Sequence, residues 1–153
     1  RRVQQVLALW HFSARDSLRT EAGLPLYGHE LAGDLQLNPA DAGFGSYVKL
    51  WKPFFVGKAA FIAHEHERKA EVTRFRLERK GVRPPHAGDK IVSEAGEQVG
   101  VVTSCSIDSE RYQLGQAYIR DHMLKEGTRV AVQRDGGTPE PAVILSRFPS
   151  AKK

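Results

Sequence analysis

Two arginines near the start of the chain are the residues best suited to bind a ligand. Arg15 and Arg19 lie one helical turn apart within residues 13–23, where apolar residues recur at helical spacing. Ser13 is a suitable N-cap and Gly23 a suitable end, so the sequence predicts a short helix that carries both guanidinium groups. Guanidinium groups bind carboxylates and phosphates through paired hydrogen bonds. The same pattern is typical of a surface helix with solvated arginines, and both interpretations stay open here.

The predicted helix also has an apolar stripe. Ala14, Leu18 and Ala22 recur every four residues, and side chains at that interval share one face of a helix. We therefore expect Leu18 and Ala22 to anchor the helix. Beyond it, the chain is expected to turn sharply at Gly28.

Two other groups of residues contain side chains that could carry chemistry. His64 and His66 flank Glu65, but on a helix the two histidines would point to different sides, and a solvated helix end is the favoured interpretation. Cys105 is expected at the end of a strand with no base or cation beside it in sequence, which favours a buried structural thiol over a nucleophile. We predict neither a metal site nor a catalytic residue in this chain.

The net charge of +5 favours anionic partners such as nucleic acid, phosphates or polycarboxylates. Arginines cluster around Phe75 within residues 74–83, and stacking surfaces for nucleic acid combine basic and aromatic residues. The alternation of this stretch instead places Phe75 in the core and the arginines on the solvent face, so we predict no nucleic-acid partner. No stretch is long enough to span a bilayer. The single cysteine fits a reducing compartment, and we expect a cytoplasmic protein without a membrane partner.

The pattern changes from helical spacing to alternation near residue 70. Short alternating runs between glycine-rich turns indicate a small antiparallel barrel or sandwich. The predicted strands are Glu71–Glu78, Lys90–Ser93, Gln98–Ser106, Tyr112–Ile119, Val130–Gln133 and Ala142–Leu145. Before them we expect the end of a helix at Arg1–Trp10, a short strand at Tyr47–Leu50 and a helix from Ala59.

Three stretches resemble one family. Ala14–Leu31 is similar to a motif of the glycine cleavage T-protein family, the tetrahydrofolate-dependent aminomethyltransferases. Asn38–Gly45, followed by Val48–Leu50 and Phe55–Lys58, resembles what comes next in that family, and Val99–Ser104 resembles a hairpin strand of its C-terminal barrel.

The resemblance implies an α+β fold with two units. Residues 1–69 would be a helical and loop segment that forms the C-terminal portion of the folate-binding body. Residues 70–153 would form a small six-stranded antiparallel β-barrel. The family's Ala-Arg-Asp motif implies that Arg15 binds tetrahydrofolate. Arg19 and Tyr27 are further candidates for folate contact, although Arg19 has an alternative partner in Asp16 and Tyr27 an alternative role in packing.

The resemblance also implies a function. In the family, the folate takes a one-carbon unit from an aminomethyl group on a lipoyl carrier protein, with release of ammonia. The family's catalytic aspartate lies in the N-terminal portion and has no match here. We therefore expect this chain to be the C-terminal part of a larger or processed enzyme. It would be inactive alone, with the N-terminal part of the same enzyme as its partner. The alternatives are a folate-dependent N-, O- or S-demethylase of the same superfamily and a non-catalytic accessory module.

This sequence departs from the family pattern at several positions. Thr20 stands where the family usually has an apolar residue, Asp41 where it has Glu, and Cys105 where it has Gly. Lys52–Phe54 stands where a Gly-Asp pair is common, and residues 107–116 keep little of the family pattern. These departures indicate a divergent member, for which folate binding is a safer expectation than the identity of the one-carbon donor.

Overall fold

A computed structural model describes residues 14–149. Helix α1 covers residues 14–21 and α2 covers Lys58–Glu67, with a 3-10 turn at Gly45–Tyr47 between them and another at Asp121–Met123. The strands are β1 (Ala70–Lys80), β2 (Lys90–Ser93), β3 (Gln98–Ile107), β4 (Tyr112–Arg120), β5 (Arg129–Gln133) and β6 (Glu140–Leu145). The predictions for Arg1–Trp10 and the Ser13 cap lie outside the described residues. No helix in the described part is long and apolar enough to cross a membrane.

The six strands close into a barrel in the order β1-β4-β3-β2-β5-β6, with every neighbouring pair antiparallel. Each predicted strand is present and lies within two residues of its predicted bounds. The predicted α+β fold with a six-stranded barrel is therefore confirmed. Alternation and glycine turns are local signals, which is why they located the strands well.

The barrel core is filled by apolar side chains that point inward from all six strands, chiefly Phe75, Leu77, Ile91, Val102, Ile119, Val132 and Ile144. Phe75 lies opposite Gly115 in the β1–β4 register. A Cβ atom at Gly115 would lie 2.5 Å from the Phe75 ring and 2.6 Å from the Ser104 carbonyl oxygen. The glycine is thus required by close packing rather than by a turn.

Strand β1 is buried on both faces. Phe75 and Leu77 face the barrel core, whereas Val72 and Arg74 are buried outside it, under the segment that precedes the barrel. The Val72 amide donates to the Asp41 carbonyl at 2.7 Å. The prediction that Arg74 faces solvent is therefore wrong, since it is 7% exposed.

Two predictions for the first segment, the described residues 14–69 that precede the barrel, are also wrong. The expected strand at Tyr47–Leu50 is instead a 3-10 turn followed by irregular chain, with local bonds such as the Val48 amide to the Gly45 carbonyl. On α1, Leu18 is 67% exposed, and the buried residues are Arg19 and Thr20. Apolar spacing misidentified the inner face because a buried acidic partner turns Arg19 inward.

We expect Gly115→Ala to destabilise the protein by about 1–3 kcal/mol, because its Cβ would force the Phe75 ring or the β3 backbone to move. Urea unfolding followed by circular dichroism measures the change. Gly137→Ala is the matched control, since the nearest atom to its Cβ would be 3.6 Å away. Equal stability of the two variants would contradict this account of the core.

Candidate functional site

The candidate site is centred on a fully buried carboxylate, that of Glu30. Its Oε2 atom accepts hydrogen bonds from Arg19 Nη1 at 2.6 Å and from the Leu26 amide at 3.0 Å. Its Oε1 atom accepts from Thr103 Oγ1 at 2.7 Å and from Ser104 Oγ at 2.5 Å. One carboxylate therefore joins α1, the turn that follows it and strand β3.

A β-bulge allows two neighbouring side chains to reach that carboxylate. Successive side chains of a regular strand point to opposite faces. Strand β3 shifts register against β4 between Val102 and Ser104, so Thr103 is an extra residue on its strand. The shift brings the Thr103 and Ser104 hydroxyls to the same oxygen of Glu30, which is the kind of re-aiming that bulges produce.

The donors keep Glu30 ionised. Burial by itself raises the pKa of this carboxyl, but the hydrogen bond from Ser104, the charge of Arg19 and the bonds from Thr103 and Leu26 together outweigh it. The result is a pKa below the usual 4.5. The buried guanidinium of Arg19 thus helps to hold the Glu30 carboxylate in its charged form.

Barrel side chains also bind the C-terminal end of α1. Arg74, Gln116 and Arg147 donate to backbone carbonyls within residues 21–24, at 2.9, 2.9 and 2.6 Å. These are carbonyls that a helix end leaves without partners, and cations there also interact favourably with the helix dipole. Helix α1 is therefore held against the barrel at its end as well as at Arg19.

Arg147 connects two separate parts of the first segment. Besides the Gly23 carbonyl, it donates to the Ala42 carbonyl through Nη2 at 2.6 Å. Gly23 has φ +72°, and a Cβ atom there would lie 2.5 Å from the Arg147 carbonyl oxygen. Burial lowers the pKa of Arg147 to about 10, which leaves it charged at neutral pH.

The three predicted folate contacts occupy different environments. Arg15 is exposed on α1, one turn before Arg19. Tyr27 is 81% exposed on the turn after α1. Arg19 is 8% exposed and paired with Glu30 and with Asp16, whose Oδ1 lies 2.6 Å from Nη2. The ion pair with Asp16 that was expected as an alternative for Arg19 is thus present. The Glu30 cluster, which consists of Glu30 and its four hydrogen-bond donors, fixes the backbone on which Arg15 and Tyr27 are exposed.

The model of the glycine cleavage T-protein C-terminal barrel domain matches residues 71–149 of this chain. The chain belongs to this family. The match covers the barrel from the second residue of β1 to the end of the described part, so the resemblance found in the sequence is confirmed.

Relatives of this T-protein barrel match the first segment too. An aminomethyltransferase from Alkaliphilus oremlandii is 36% identical over 138 residues, which is 88% of this chain and 36% of the relative. An aminomethyltransferase from Saccharopolyspora erythraea is 39% identical over 139 residues, which is 89% of this chain and 37% of the relative. The crystal structure of glycine cleavage system aminomethyltransferase T from Bartonella henselae superposes with a TM-score of 0.75 at 28% identity, covering 87% of this chain and 37% of that one. The chain spans a little over a third of the length of these relatives.

Sequence reasoning missed most of the residues that hold α1 and the following turn against the barrel in this T-protein domain. Glu30 lies on a turn, and Thr103, Ser104 and Arg147 are far from it in sequence, so no periodic pattern links them. Gln116 gave one signal, a large polar residue between Gly115 and Ala117 in strand β4. Its side-chain amide donates to the Leu24 carbonyl.

The remaining candidates form no reactive centre in the described residues. His64 bonds the Asn38 side chain at 2.9 Å and lies 3.7 Å from Asp41. Within residues 14–149, no three potential ligands come together around a metal position. Burial raises the pKa of Cys105 to about 12, so its thiol is protonated and a poor nucleophile at neutral pH.

We expect Glu30→Gln to cost about 3 kcal/mol of stability, because it removes the buried counter-charge of Arg19 and leaves only that of the more exposed Asp16. Urea unfolding at neutral pH measures the loss. Glu97→Gln is the matched control. Its ion pair with Arg120 is exposed, and its loss should cost less than about 1 kcal/mol. A small, equal effect of both substitutions would show that Glu30 does not hold the cluster together.

The lowered pKa of Glu30 predicts a pH dependence of stability. A carboxyl with a lower pKa in the folded state contributes its full stabilisation above the unfolded value, here 4.5, and loses it as the pH falls through the folded value. The wild type should therefore lose stability below pH 4.5 more steeply than Glu30→Gln does. The free energy of unfolding as a function of pH tests this, and parallel curves would contradict it.

Proposed function

We propose that this chain forms part of a tetrahydrofolate-dependent aminomethyltransferase and that α1 helps to hold the folate. The observation that carries the proposal is an exposed arginine on a rigidly held helix. Arg15 is exposed, while Arg19 one turn later and the end of α1 are bound to the barrel by buried hydrogen bonds. A guanidinium on a fixed backbone loses less freedom on binding than one on a mobile loop.

The chemistry of the exposed residues fits a folate. A folate has a carboxylate tail and a flat, polar pterin ring. The Arg15 guanidinium can donate paired hydrogen bonds to a carboxylate, and the exposed Tyr27 ring offers a surface on which a flat ring can stack. We assign Arg15 and Tyr27 to direct contact. Arg19 was a third candidate, but its buried pairs with Glu30 and Asp16 favour a positioning role.

The relatives support an enzyme that is longer than these residues. This chain corresponds to 36% of the Alkaliphilus oremlandii aminomethyltransferase. We propose that the other part of such an enzyme supplies the catalytic carboxylate and that a lipoyl carrier protein presents the aminomethyl group. The bound folate supplies the acceptor for the one-carbon unit. The share of this chain is to orient the folate through Arg15 and Tyr27.

We expect Arg15→Ala to weaken tetrahydrofolate binding about 10- to 100-fold, the effect of losing one charge-assisted hydrogen bond. Isothermal titration of the complete gene product that contains these residues measures the affinity. Stability should change little, since Arg15 is exposed.

Arg129→Ala is the matched control, because Arg129 is an exposed arginine on β5 of the barrel. It should leave the folate affinity unchanged. Unchanged affinity in Arg15→Ala would remove the assignment of Arg15, and a wild-type protein that binds no folate would remove the proposed function itself.

A further inference from the structure

We propose that a small cavity between the first segment and the barrel binds a small organic ammonium ion. The cavity has a volume of about 240 Å³ and is lined by residues 28–29 and 34–35 of the first segment and by residues 87–88 and 101–103 of the barrel region. The proposed folate contacts, Arg15 and Tyr27, lie outside this lining. The site is therefore distinct from the one assigned to the folate.

The cavity lies where two parts of the chain meet. On the barrel side, Val102 and Thr103 of β3 are buried. The Gly88 amide donates to the Val102 carbonyl at 2.9 Å, which joins the two barrel stretches into one wall. Pockets for small ligands occur preferentially at such junctions. A ligand here would contact both the barrel and the segment that is docked on it.

The size of the cavity restricts the ligand to a small molecule. Pockets for drug-sized ligands have volumes of roughly 300–1,000 Å³, whereas this one has about 240 Å³. Leu35, Val101 and Val102 contribute apolar side chains to the lining. Burial of aliphatic groups against such side chains is favourable. The cavity thus suits a short aliphatic molecule and is too small for a complete folate.

The polar side chains of the cavity can all accept hydrogen bonds. They belong to His29, Asp34 and Thr103. The exposed Asp34 carboxylate also brings a negative charge. The single hydroxyl proton of Thr103 is directed at Glu30 and the Gln116 carbonyl, so its oxygen can only accept a further hydrogen bond. A neutral imidazole has one acceptor nitrogen as well.

This set of acceptors decides the class of ligand. A protonated primary amine carries three N–H donors and a positive charge, which complements Asp34 and the Thr103 oxygen. A carboxylate or a phosphate would instead bring a second negative charge next to Asp34, and like charges in contact are unfavourable. The ligand is therefore a small aliphatic amine in its protonated form.

The loop of residues 32–37, which carries the carboxylate of the cavity, has a fixed conformation. Ala32 and Gln36 both have φ +53°, a region that residues other than glycine rarely adopt. Backbone hydrogen bonds of 2.7 and 3.2 Å join the first and last residues of the loop. A Cβ atom on Gly33 would lie 2.6 Å from the Gly28 carbonyl oxygen, so the loop packs closely on the preceding turn. Strained residues of this kind are concentrated at ligand sites, and a carboxylate held in place loses little freedom on binding.

Methyl NMR of the complete gene product that contains these residues tests the proposal, with isobutylammonium chloride as the probe. We expect saturable shifts of the Leu35, Val101 and Val102 methyl resonances. Isovalerate, which carries the same isobutyl group on a carboxylate, should shift them several-fold less at equal concentration. Absence of saturable shifts at these methyl groups, or equal shifts with the two compounds, would overturn the proposal.

A pair of variants tests the role of the carboxylate. Asp34→Asn should weaken isobutylammonium binding about 3- to 5-fold, the effect of losing an ion pair at an exposed carboxylate. Glu94→Gln is the matched control, because Glu94 is exposed on the turn between β2 and β3, outside the lining of the cavity. It should leave the affinity unchanged. Equal affinities of Asp34→Asn and the wild type would contradict the assignment of an ammonium ligand.

Folate titration separates this cavity from the proposed function. Asp34→Asn should bind tetrahydrofolate as tightly as the wild type does. A parallel loss of folate affinity in this variant would place Asp34 in the folate site and overturn the separate cavity. A wild-type protein that binds isobutylammonium but no folate would keep the cavity and remove only the proposed function.

Discussion

The described fold depends on one buried negative charge. An ionised carboxylate is expensive to remove from water unless nearly every lone pair finds a donor. Glu30 meets that condition only when Arg19, the Leu26 amide, Thr103 and Ser104 are all in place. These donors come from a helix, a turn and a barrel strand, so none of the three elements can shift alone without leaving the charge unsatisfied. This requirement fixes the position of α1 and the following turn on the barrel, which non-directional apolar packing alone would not do.

Features that depend on residues close together in sequence could be predicted, whereas features that depend on distant residues could not. The six strands and α2 have local signatures, namely alternation, glycine turns and helical spacing, and they were located to within a few residues. The Glu30 cluster joins residues that are 11 and more than 70 positions apart, and such pairs have no periodicity. The same cause explains the error on α1, where apolar spacing pointed to Leu18 while the buried charge drew Arg19 inward. Arg15 and Tyr27 were proposed from a family motif, and their exposure was not predictable from spacing.

The two outer surfaces of the first segment differ in kind. Around Arg15 and Tyr27 the backbone is anchored from below, and the exposed groups are polar or amphipathic. Around Trp51 and Phe54 the exposed groups are apolar, and none of the described residues 47–67 is buried. A small polar ligand suits the first surface, since it needs groups held in place before it arrives.

Arg147 sets a late step in the assembly of the chain. It lies just after the last strand, yet it donates to the carbonyls of Gly23 and Ala42, more than 100 positions earlier. On a ribosome, α1 would emerge long before this arginine, whereas Arg74, which also binds the end of α1, is made earlier. The bonds of Arg147 can therefore form only once the last strand has been synthesised, and contacts of such long range are the slow ones in folding.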